Sequence, residues 1–388
     1  MIILVINCGS SSAKYQVFDI KKKQSLAKGV VERIGQAGST LCHQKEGSPS
    51  LNKNVLCNDH HAAIGMIVSI LSDKRYGVIS SKGDIAGIGH RVVHGGEEFK
   101  ESTLITAKVL RSIQKYSELA PLHNPPALLG IEACLQILKG VPQAAVFDTS
   151  FHQTMPEVAF LYGLPFEYYK NYGIRRYGFH GTSHKFVTEE AGRILKRPLK
   201  SLKLITCHLG NGCSMTAVDG GKSVDTSMGF TPLEGLLMGT RSGDLDPAIV
   251  FFMMEKEGLS PHDINHLLNK ESGLLGISGK SNDMRDLLKD VKSNSRTSKN
   301  SRLALEVYVY RIKKYIGAFQ AVMGGLDAVI FTAGVGENNP WILESIKKDL
   351  KSVVPKTTRF MIVPTNEELL IARDTFEIIK KDKLPRRK

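Results

Sequence analysis

The stretch IILVINCGSSSAKYQVFDI, residues 2–20, decides the fold class. An apolar, mostly β-branched run at 2–6 meets a glycine- and serine-rich segment, and an alternating run follows at 15–20. This pattern predicts a β-hairpin with a Gly/Ser turn. Residues 203–219 repeat the pattern in the second half of the chain, with HLGNG at the turn. We therefore predict an internal duplication of one α/β unit, with two unrelated hairpins as the alternative.

Helical and strand-like patterns alternate through the rest of the chain. Helical periodicity covers residues 106–116 and 126–139, and a long helical stretch at 301–323 precedes an apolar strand at 327–332. Strands that alternate with helices predict the α/β class. The polar, basic stretch 289–302 is expected to be a surface loop.

The composition narrows the class of protein. A length of 388 residues predicts two domains or at most three, and 42% hydrophobic with 23% charged residues predicts packed cores rather than disorder. The 52 basic and 38 acidic residues leave a net charge of +14, which suits anionic partners such as nucleotides and phosphates. The basic segment after residue 379 has no interleaved aromatic residues, so we expect a solvated terminus and no nucleic-acid partner.

Three further features bear on the cellular compartment. No uncharged apolar stretch is long enough to span a bilayer, so no membrane association is predicted. The first residues are apolar but lack a basic leader, which favours a strand over a signal peptide. The six cysteines are scattered without a CxxC pair, which favours a reducing, cytoplasmic compartment.

Three glycine-rich segments, at residues 8–12, 210–212 and 334–338, each follow an apolar strand-like run. Small residues at the end of a strand let backbone N–H groups approach a phosphate and stabilise its charge. Together the segments predict a phosphate or nucleotide site. None of them is a Walker P-loop, and the closest local match fails because Thr216 stands where that motif requires its first glycine.

Charged and imidazole side chains beside predicted turns are candidates for catalysis. Arg91 follows a strand-like run and Arg241 lies in GTRSGD; an arginine beside a transferring phosphoryl group stabilises its oxygens. Asp148 ends an apolar run, where a carboxylate either serves a site at the sheet edge or caps the next helix. His180 and His184 have the i, i+4 spacing of zinc ligands, but no third ligand stands nearby, which disfavours zinc. Surface salt bridges remain the alternative for both arginines.

Motifs shared with a known protein family occur in order along nearly the whole chain. They are VINCGSSSAKYQVFD (5–19), HRVVHGG (90–96), PLHNPP (121–126), FDTSFH (147–152), RRYGFHGTSH (175–184), HLGNGCS (208–214), DTSMGFTPLEGLLMGTRSGDLDP (225–247), SGLLGISGKSNDMRDL (272–287), GGLDAVIFTAGVGEN (324–338) and PTNEELLIARDT (364–375). On these motifs the chain resembles the acetate kinase family, within the superfamily of acetate and sugar kinases, Hsp70 and actin.

The resemblance implies an α/β architecture: a two-lobed, duplicated ribonuclease H-like fold, the actin-like ATPase fold, with an interlobe cleft. The first lobe, on the acyl-substrate side, would comprise residues 1–150 and 367–388. A C-terminal helix near 367–380 would return to it. The second lobe, residues 151–366, would bind the nucleotide. A homodimer is implied as well.

The resemblance also implies the reaction and its residues. The reaction is reversible transfer of the γ-phosphoryl group of ATP to acetate, giving ADP and acetyl phosphate by direct in-line displacement with Mg²⁺, or with Mn²⁺ in its place. The implied catalytic residues are Asp148, His180 and Arg241. The implied acetate-binding residues are Arg91 for the carboxylate, Val93, Leu122, Phe179 and Pro232 around the methyl group, and His123 beside that pocket. The implied nucleotide-binding residues are Lys14, His208, Leu209, Gly210, Asn211, Gly212, Asp283, Met284, Arg285, Gly334, Val335, Gly336, Glu337 and Asn338. The implied metal ligands are Asn7 and Glu367.

The acceptor's chemistry bears on Asp148. Acetate is ionised at neutral pH, because its carboxyl pKa is about 4 to 5, as for Glu. It needs no general base, so we expect Asp148 to orient an arginine or the metal shell, whereas a sugar kinase would need a base for its neutral hydroxyl.

Three alternatives stay open: a propionate kinase, an Hsp70- or actin-like ATPase, and a basic nucleic-acid-binding protein. The sequence departs from the family's pattern at two places. The stretch between Leu350 and Pro364 is shorter than usual, which leaves open the local fold before Glu367. A lysine at position 280 replaces the more usual apolar residue, which leaves open the details of adenosine binding.

Overall fold

The computed structural model describes residues 1–293 and 295–382, and in it the chain forms two compact units. The first comprises Met1–Ser150 with the described residues from Asn366 onward, and the second comprises Phe151–Thr365. Each unit contains a β-sheet with helices packed on it. Across the described residues, no helix combines the length and apolar character that a membrane span needs. The expected basic terminus extends past Asp382, so most of it lies outside the described residues.

The first unit is built on a mixed sheet. Its strands are β1 Ile2–Gly9, β2 Ser12–Asp19, β3 Gln24–Glu32, β4 Thr40–Lys45, β5 Leu51–Asn54, β6 Ile85–Val92, β7 Thr103–Leu104 and β8 Gln143–Phe147. Its helices are α1 His60–Leu71, α2 Ala107–Lys115, α3 Asn124–Ile137 and the C-terminal α14 Glu367–Asp382. The strand order is β5-β4-β3-β2-β1-β6-β8-β7.

Two glycines of β6 let α14 lie close against this sheet. A Cβ built on Gly87 would come within 2.1 Å of Ile379 Cδ1, and one on Gly89 within 2.4 Å of Thr375 Oγ1. Both distances are shorter than real Cβ contacts, so a larger residue at either position would force the side chains of α14 to shift. The close packing brings Glu367, the first residue of α14, to the carboxyl end of β6.

The second unit carries a smaller sheet and more helices. Its strands are β9 Lys203–Leu209, β10 Cys213–Asp219, β11 Lys222–Thr226, β12 Ala328–Thr332 and β13 Arg359–Ile362. Its helices are α4 Glu157–Phe160, α5 Phe166–Tyr172, α6 Gly181–Leu195, α7 Pro247–Glu257, α8 Pro261–His266, α9 Gly273–Ser278, α10 Met284–Ser293, α11 Ser298–Met323, α12 Ala333–Asn338 and α13 Pro340–Leu350. Short 3₁₀ or π turns occupy Lys82–Asp84, Tyr116–Glu118, Ser150–Thr154, Leu199–Ser201 and Leu267–Glu271.

Both sheets share one central topology. In the first unit β3, β2, β1, β6 and β8 are successive neighbours, and in the second β11, β10, β9, β12 and β13 are. In each set the first two pairings are antiparallel and the last two are parallel. The two predicted hairpins, β1–β2 and β9–β10, therefore start equivalent units, and the predicted duplication and α/β class are confirmed.

The expectation of a surface loop at 289–302 is wrong, because α10 reaches Ser293 and α11 begins at Ser298. The two helices extend into this polar stretch because Asp290 is buried between them, with 3% of its surface exposed. Its carboxylate accepts hydrogen bonds from Ser301 Oγ at 2.6 Å and Thr297 Oγ1 at 2.9 Å, and Lys280 forms an ion pair with it. The unexpected lysine at 280 thus pairs with a buried acid that joins the two helices.

The segment between Leu350 and Pro364 still completes the second sheet. It supplies β13, which pairs in parallel with β12 and places Met361 opposite Ile330. Val363 N then donates to Phe331 O at 3.0 Å. The chain therefore leaves the second sheet as a regular edge strand shortly before α14.

Candidate active site

Three charged side chains of the first unit converge at the carboxyl ends of the parallel strands β6 and β8. Asp148 follows β8 and is 1% exposed, and its carboxylate accepts hydrogen bonds from Arg91 Nε at 3.1 and 3.2 Å and from Arg91 Nη2 at 2.6 Å. Glu367 Oε2 lies 3.9 Å from Arg91 Nε. Residues that follow neighbouring parallel strands meet at one sheet edge, which is where a site is expected in such a fold.

Two of these groups, Arg91 and Glu367, have pKa values that their surroundings shift. The charge of Asp148 raises the pKa of Arg91, so the guanidinium stays charged. Burial raises the pKa of Glu367 to about 7, although Arg91 opposes the shift. A cation placed beside Glu367 would favour its ionised form. Both carboxylate oxygens of Asp148 accept hydrogen bonds from the guanidinium, which holds the Arg91 side chain in one orientation.

The β1–β2 hairpin adds two polar side chains to the first unit. Asn7 on β1 and Lys14 on β2 are partners in the strand register, and both line a cavity of about 350 Å³ together with Glu368 of α14. The amide oxygen of Asn7 and the carboxylate of Glu367 are hard donors of the kind that Mg²⁺ prefers.

The donor set fits an ion that is shared with a phosphate ligand. Within residues 1–293 and 295–382 there is no group of three or more His, Cys, Asp or Glu that could hold a metal. Mg²⁺ commonly binds through one or two carboxylates and completes its shell with substrate phosphates and water. Asn7 and Glu367 offer oxygen donors of this kind, and their role as metal ligands stays a prediction.

In the second unit the β9–β10 turn brings two predicted catalytic groups to one point. A Cβ built on Gly212 would lie 3.5 Å from Arg241 Nη1 and 3.5 Å from His180 Cε1. Arg241 Nη1 donates to Pro232 O at 3.3 Å, and burial lowers the pKa of Arg241. In the described part of the chain no carboxylate pairs with Arg241. A partly buried guanidinium without a counter-charge is suited to bind an anion.

The imidazole of His180 is held tightly beside this turn. His180 precedes α6 with a backbone φ of +55°, in the left-handed region that favours glycine. Its ring stacks on His208 with centroids 4.2 Å apart, and its Nδ1 lies 2.8 Å from Ser214 Oγ. His208 Nδ1 lies 2.8 Å from Ser183 Oγ. Ring stacking and hydrogen bonding therefore fix the orientation of the His180 side chain.

A cavity of about 540 Å³ in the second unit gathers predicted nucleotide residues from three distant segments. The segments are the β9–β10 turn, the start of α10 and the helix α12. The predicted residues in the lining are Gly210, Asn211, Asp283, Met284, Arg285, Gly334, Val335 and Asn338. The volume lies in the range of small-molecule sites. Hydrogen bonds from Arg285 lower the pKa of Asp283 to about 2, so this rim carboxylate is ionised at neutral pH.

Other predicted nucleotide residues lie behind this lining. Leu209 is fully buried in β9, and Gly336 is buried within α12. Glu337 Oε1 accepts a hydrogen bond from Ala333 N at 2.8 Å, and Ala333 has a φ of +64°. The predicted glycine-rich segment 334–338 is therefore a short helix, and Glu337 stabilises the strained turn that leads into it.

The predicted acetate-binding side chains other than Arg91 are divided between the two units. Val93, Leu122 and His123 belong to the first unit, where Leu122 is 65% exposed and His123 precedes α3. Phe179 and Pro232 belong to the second unit, where Phe179 is buried. Their shared role around a methyl group stays a prediction.

Sequence reasoning missed side chains that complete the nucleotide-side cavity. Asn282, Tyr308 and Asn339 are part of its lining, and Asn282 Nδ2 donates to Asn211 Oδ1 at 3.2 Å. Asn282 directly precedes the predicted Asp283, and Asn339 directly follows the predicted 334–338 segment, so neighbouring motifs carried a signal for both. Tyr308 lies inside the long helix α11, where periodicity marks it as a core residue.

Comparison with known proteins identifies the family of the chain. A model of the Acetokinase family matches residues 2–356. The acetate kinase of Halothermothrix orenii is 52% identical over 400 residues, which cover 98% of this chain and 100% of the relative. The crystal structure of Porphyromonas gingivalis acetate kinase has a TM-score of 0.93 at 42% identity, covering 97% of this chain and 99% of that one. A propionate kinase from Francisella tularensis has a TM-score of 0.89 at 40% identity, with the same coverage. With a family match over most of its length and a full-length relative at such identity, the chain belongs to the acetokinase family.

Proposed function

We propose that this protein transfers the γ-phosphoryl group of ATP to acetate, reversibly, giving ADP and acetyl phosphate. The observation that carries the proposal is the Arg91–Asp148 pair. Asp148 is buried against the guanidinium, while the Arg91 side chain keeps 24% of its surface exposed and can bind a small carboxylate. Such an arrangement suits an acceptor that is already an anion. The acetate kinases among the relatives support the same chemistry.

On the acceptor side, Arg91 binds the carboxylate of acetate and Asp148 holds the guanidinium plane in position. The main barrier is the approach of one anion to another, which cations and fixed geometry lower. No proton has to be removed from the acceptor, so Asp148 does not act as a base. The residues assigned to the methyl group are Val93, Leu122, Phe179 and Pro232, with His123 beside them.

On the donor side, Arg241 and His180 contact the transferring phosphoryl group, whose charge spreads over its equatorial oxygens in a loose, in-line transition state. Their shared position beside Gly212 supports this role. The backbone of the β9–β10 turn, with Lys14, binds the other phosphates. The 540 Å³ cavity receives the adenosine, since its lining gathers three segments that follow strands or begin helices.

Mg²⁺, or Mn²⁺ in its place, would be held by Asn7 and Glu367 together with the nucleotide phosphates. Bound there, the ion neutralises phosphate charge as a Lewis acid. The raised pKa of Glu367 supports this assignment, because burial and the charges of Asp148 and Glu368 disfavour its ionised form, which a bound cation would favour.

A propionate kinase is the second candidate, favoured by the similarity to the Francisella tularensis enzyme. The two substrates differ by one methylene, for which a pocket discriminates by about 1–3 kcal/mol. The choice therefore depends on the small apolar set around the methyl group rather than on the Arg91 cluster.

We also propose a homodimer in the cytoplasm. The helix α7 exposes Phe251 and Phe252, which keep 65% and 62% of their surfaces accessible, and Ile249 keeps 40%. Large apolar side chains clustered on one exposed helix are typical of an association surface. All six cysteines are free thiols, which suits a reducing compartment.

A hydroxamate assay of acyl phosphate with MgATP and a series of carboxylates tests the proposal. We expect acetate to have the highest kcat/KM and propionate a lower one. Propionate as the better substrate would establish the second candidate. ADP release that does not depend on any carboxylate would contradict both and indicate an ATPase.

A further inference from the structure

A buried hydrogen-bonded chain leads away from His180 into the second unit. His180 Nδ1 lies 2.8 Å from Ser214 Oγ, Ser214 Oγ lies 2.7 Å from His184 Nε2, and His184 Nδ1 lies 2.7 Å from Thr206 Oγ1. Ser214, His184 and Thr206 are each 0% exposed. We propose that this relay fixes His180 as the tautomer that carries its proton on Nε2, which makes Ser214 a positioning residue; its catalytic meaning rests on the function proposed above.

Each group in the relay has a limited number of hydrogens. Burial lowers the pKa of His184 well below its usual value, with His152 and His208 adding to the shift. His184 is therefore neutral, with one N–H and one bare ring nitrogen. Ser214 and Thr206 each have one hydroxyl hydrogen. Over the residues that the structure describes, His184 Nδ1 is the one hydrogen-bond partner of Thr206 Oγ1.

These numbers of hydrogens favour one direction of hydrogen-bond donation along the relay. When Thr206 donates to His184 Nδ1, His184 Nε2–H donates to Ser214 Oγ, and the Ser214 hydroxyl donates to His180 Nδ1. In the opposite direction, His184 Nδ1–H would donate to Thr206, and the buried Thr206 hydroxyl hydrogen would have no acceptor among the described residues. A buried donor without an acceptor is costly. His180 Nδ1 is therefore the acceptor, and the ring proton lies on Nε2.

The tautomer matters because of what the other edge of the ring faces. A Cβ built on Gly212 would lie 3.6 Å from His180 Nε2, at the turn that also borders Arg241. An Nε2–H there can donate to a phosphoryl oxygen, whereas a bare Nε2 would turn a lone pair toward an anion. A buried serine and threonine on β10 and β9 thus decide whether His180 can assist the transfer.

The tautomer can be read directly by ¹⁵N NMR of the full chain labelled at histidine, without ligand, at pH 8. The His180 signals are assigned by their loss in His180→Asn. We expect a neutral ring with its proton on Nε2. A proton on Nδ1, or a doubly protonated ring, overturns the relay.

Two variants test the relay's members. Ser214→Ala removes the donor to Nδ1. Thr206→Val is nearly isosteric and changes a group two hydrogen bonds beyond Ser214. We expect both to give a mixture of His180 tautomers. The control is Ser223→Ala, which removes another buried hydroxyl, 3.0 Å from His152 Nδ1, and leaves the His180 tautomer unchanged. An unmixed Nε2–H tautomer in both relay variants contradicts the proposal.

The catalytic consequence has its own readout. Ser214→Ala lowers kcat roughly 10-fold, the order of one hydrogen bond, with the KM for ATP and acetate nearly unchanged. An unchanged kcat beside a mixed tautomer would overturn the link to catalysis. The NMR result does not depend on the reaction catalysed, so a failure of the proposed function is distinguishable from a failure of the relay.

Discussion

The substitution Asp148→Asn separates an orienting carboxylate from a catalytic base. Asp148 accepts from Arg91 at 2.6, 3.1 and 3.2 Å. Asparagine keeps one oxygen acceptor but turns an NH₂ group toward a guanidinium donor and removes the negative charge. Loss of one charge-assisted hydrogen bond is worth about 1.5–3 kcal/mol, so the kcat/KM for acetate is expected to fall by about 10- to 150-fold.

The effect belongs to the acceptor side. The KM for acetate rises and the KM for ATP changes little, because Asp148 acts on the arginine that binds the acceptor and no proton is taken from the ionised acceptor. The assay is acetyl phosphate formation by the hydroxamate method across acetate concentrations and pH. Asp349→Asn, which removes the partner of Lys313 on the surface, is the matched control and leaves these constants unchanged. An unaltered KM for acetate together with a large loss of kcat would refute the orienting role.

The remaining predictions concern the phosphoryl group, the acyl pocket, pH and assembly. Arg241→Ala lowers kcat by roughly 10³ with a smaller change in KM, measured under saturating substrates; near-normal kcat removes it from the mechanism. Val93→Ala improves propionate relative to acetate by about 1 kcal/mol in kcat/KM, and an unchanged ratio means that Val93 does not border the acyl group. Burial lowers the pKa of His90 to about 4, so on acidification the unfolded chain binds a proton before the folded chain does. The free energy of unfolding therefore falls as the pH drops from about 6.5 to 4, and the loss is about 2 kcal/mol at pH 5. In urea titrations at pH 5 and 7.5, His90→Gln reduces the difference in the free energy of unfolding between the two pH values. An equal difference in both proteins counts against the role of His90. Phe251→Asp with Phe252→Asp yields monomers in sedimentation velocity; a persistent dimer places the interface elsewhere.

Local sequence patterns predicted the parts of the fold that depend on local chemistry. The apolar and alternating runs around the two glycine-containing turns became the β1–β2 and β9–β10 hairpins, as predicted. Strand ends that carry small or charged residues supplied Arg91, Asp148 and much of the lining of the 540 Å³ cavity. These features follow from backbone geometry that a short window of sequence already specifies.

The features that the sequence patterns did not predict depend on which polar groups are buried together. Asp290 lies in a basic, polar segment, and only its contacts with Ser301 and Lys280 reveal that the segment is two packed helices. Ser214 and Thr206 lie on strands whose alternation marks them as inward-facing but not as hydrogen-bond partners of histidines. Their roles arise from contacts between residues distant in sequence, which periodicity does not encode.

Isotope transfer tests the central claim that acetate oxygen attacks the γ-phosphorus. The enzyme is given MgATP and acetate labelled with ¹⁸O in both carboxyl oxygens, and the product is observed by ³¹P NMR. The account predicts acetyl phosphate whose phosphorus is bonded to ¹⁸O. ADP that appears with unlabelled inorganic phosphate and no labelled acetyl phosphate would contradict it.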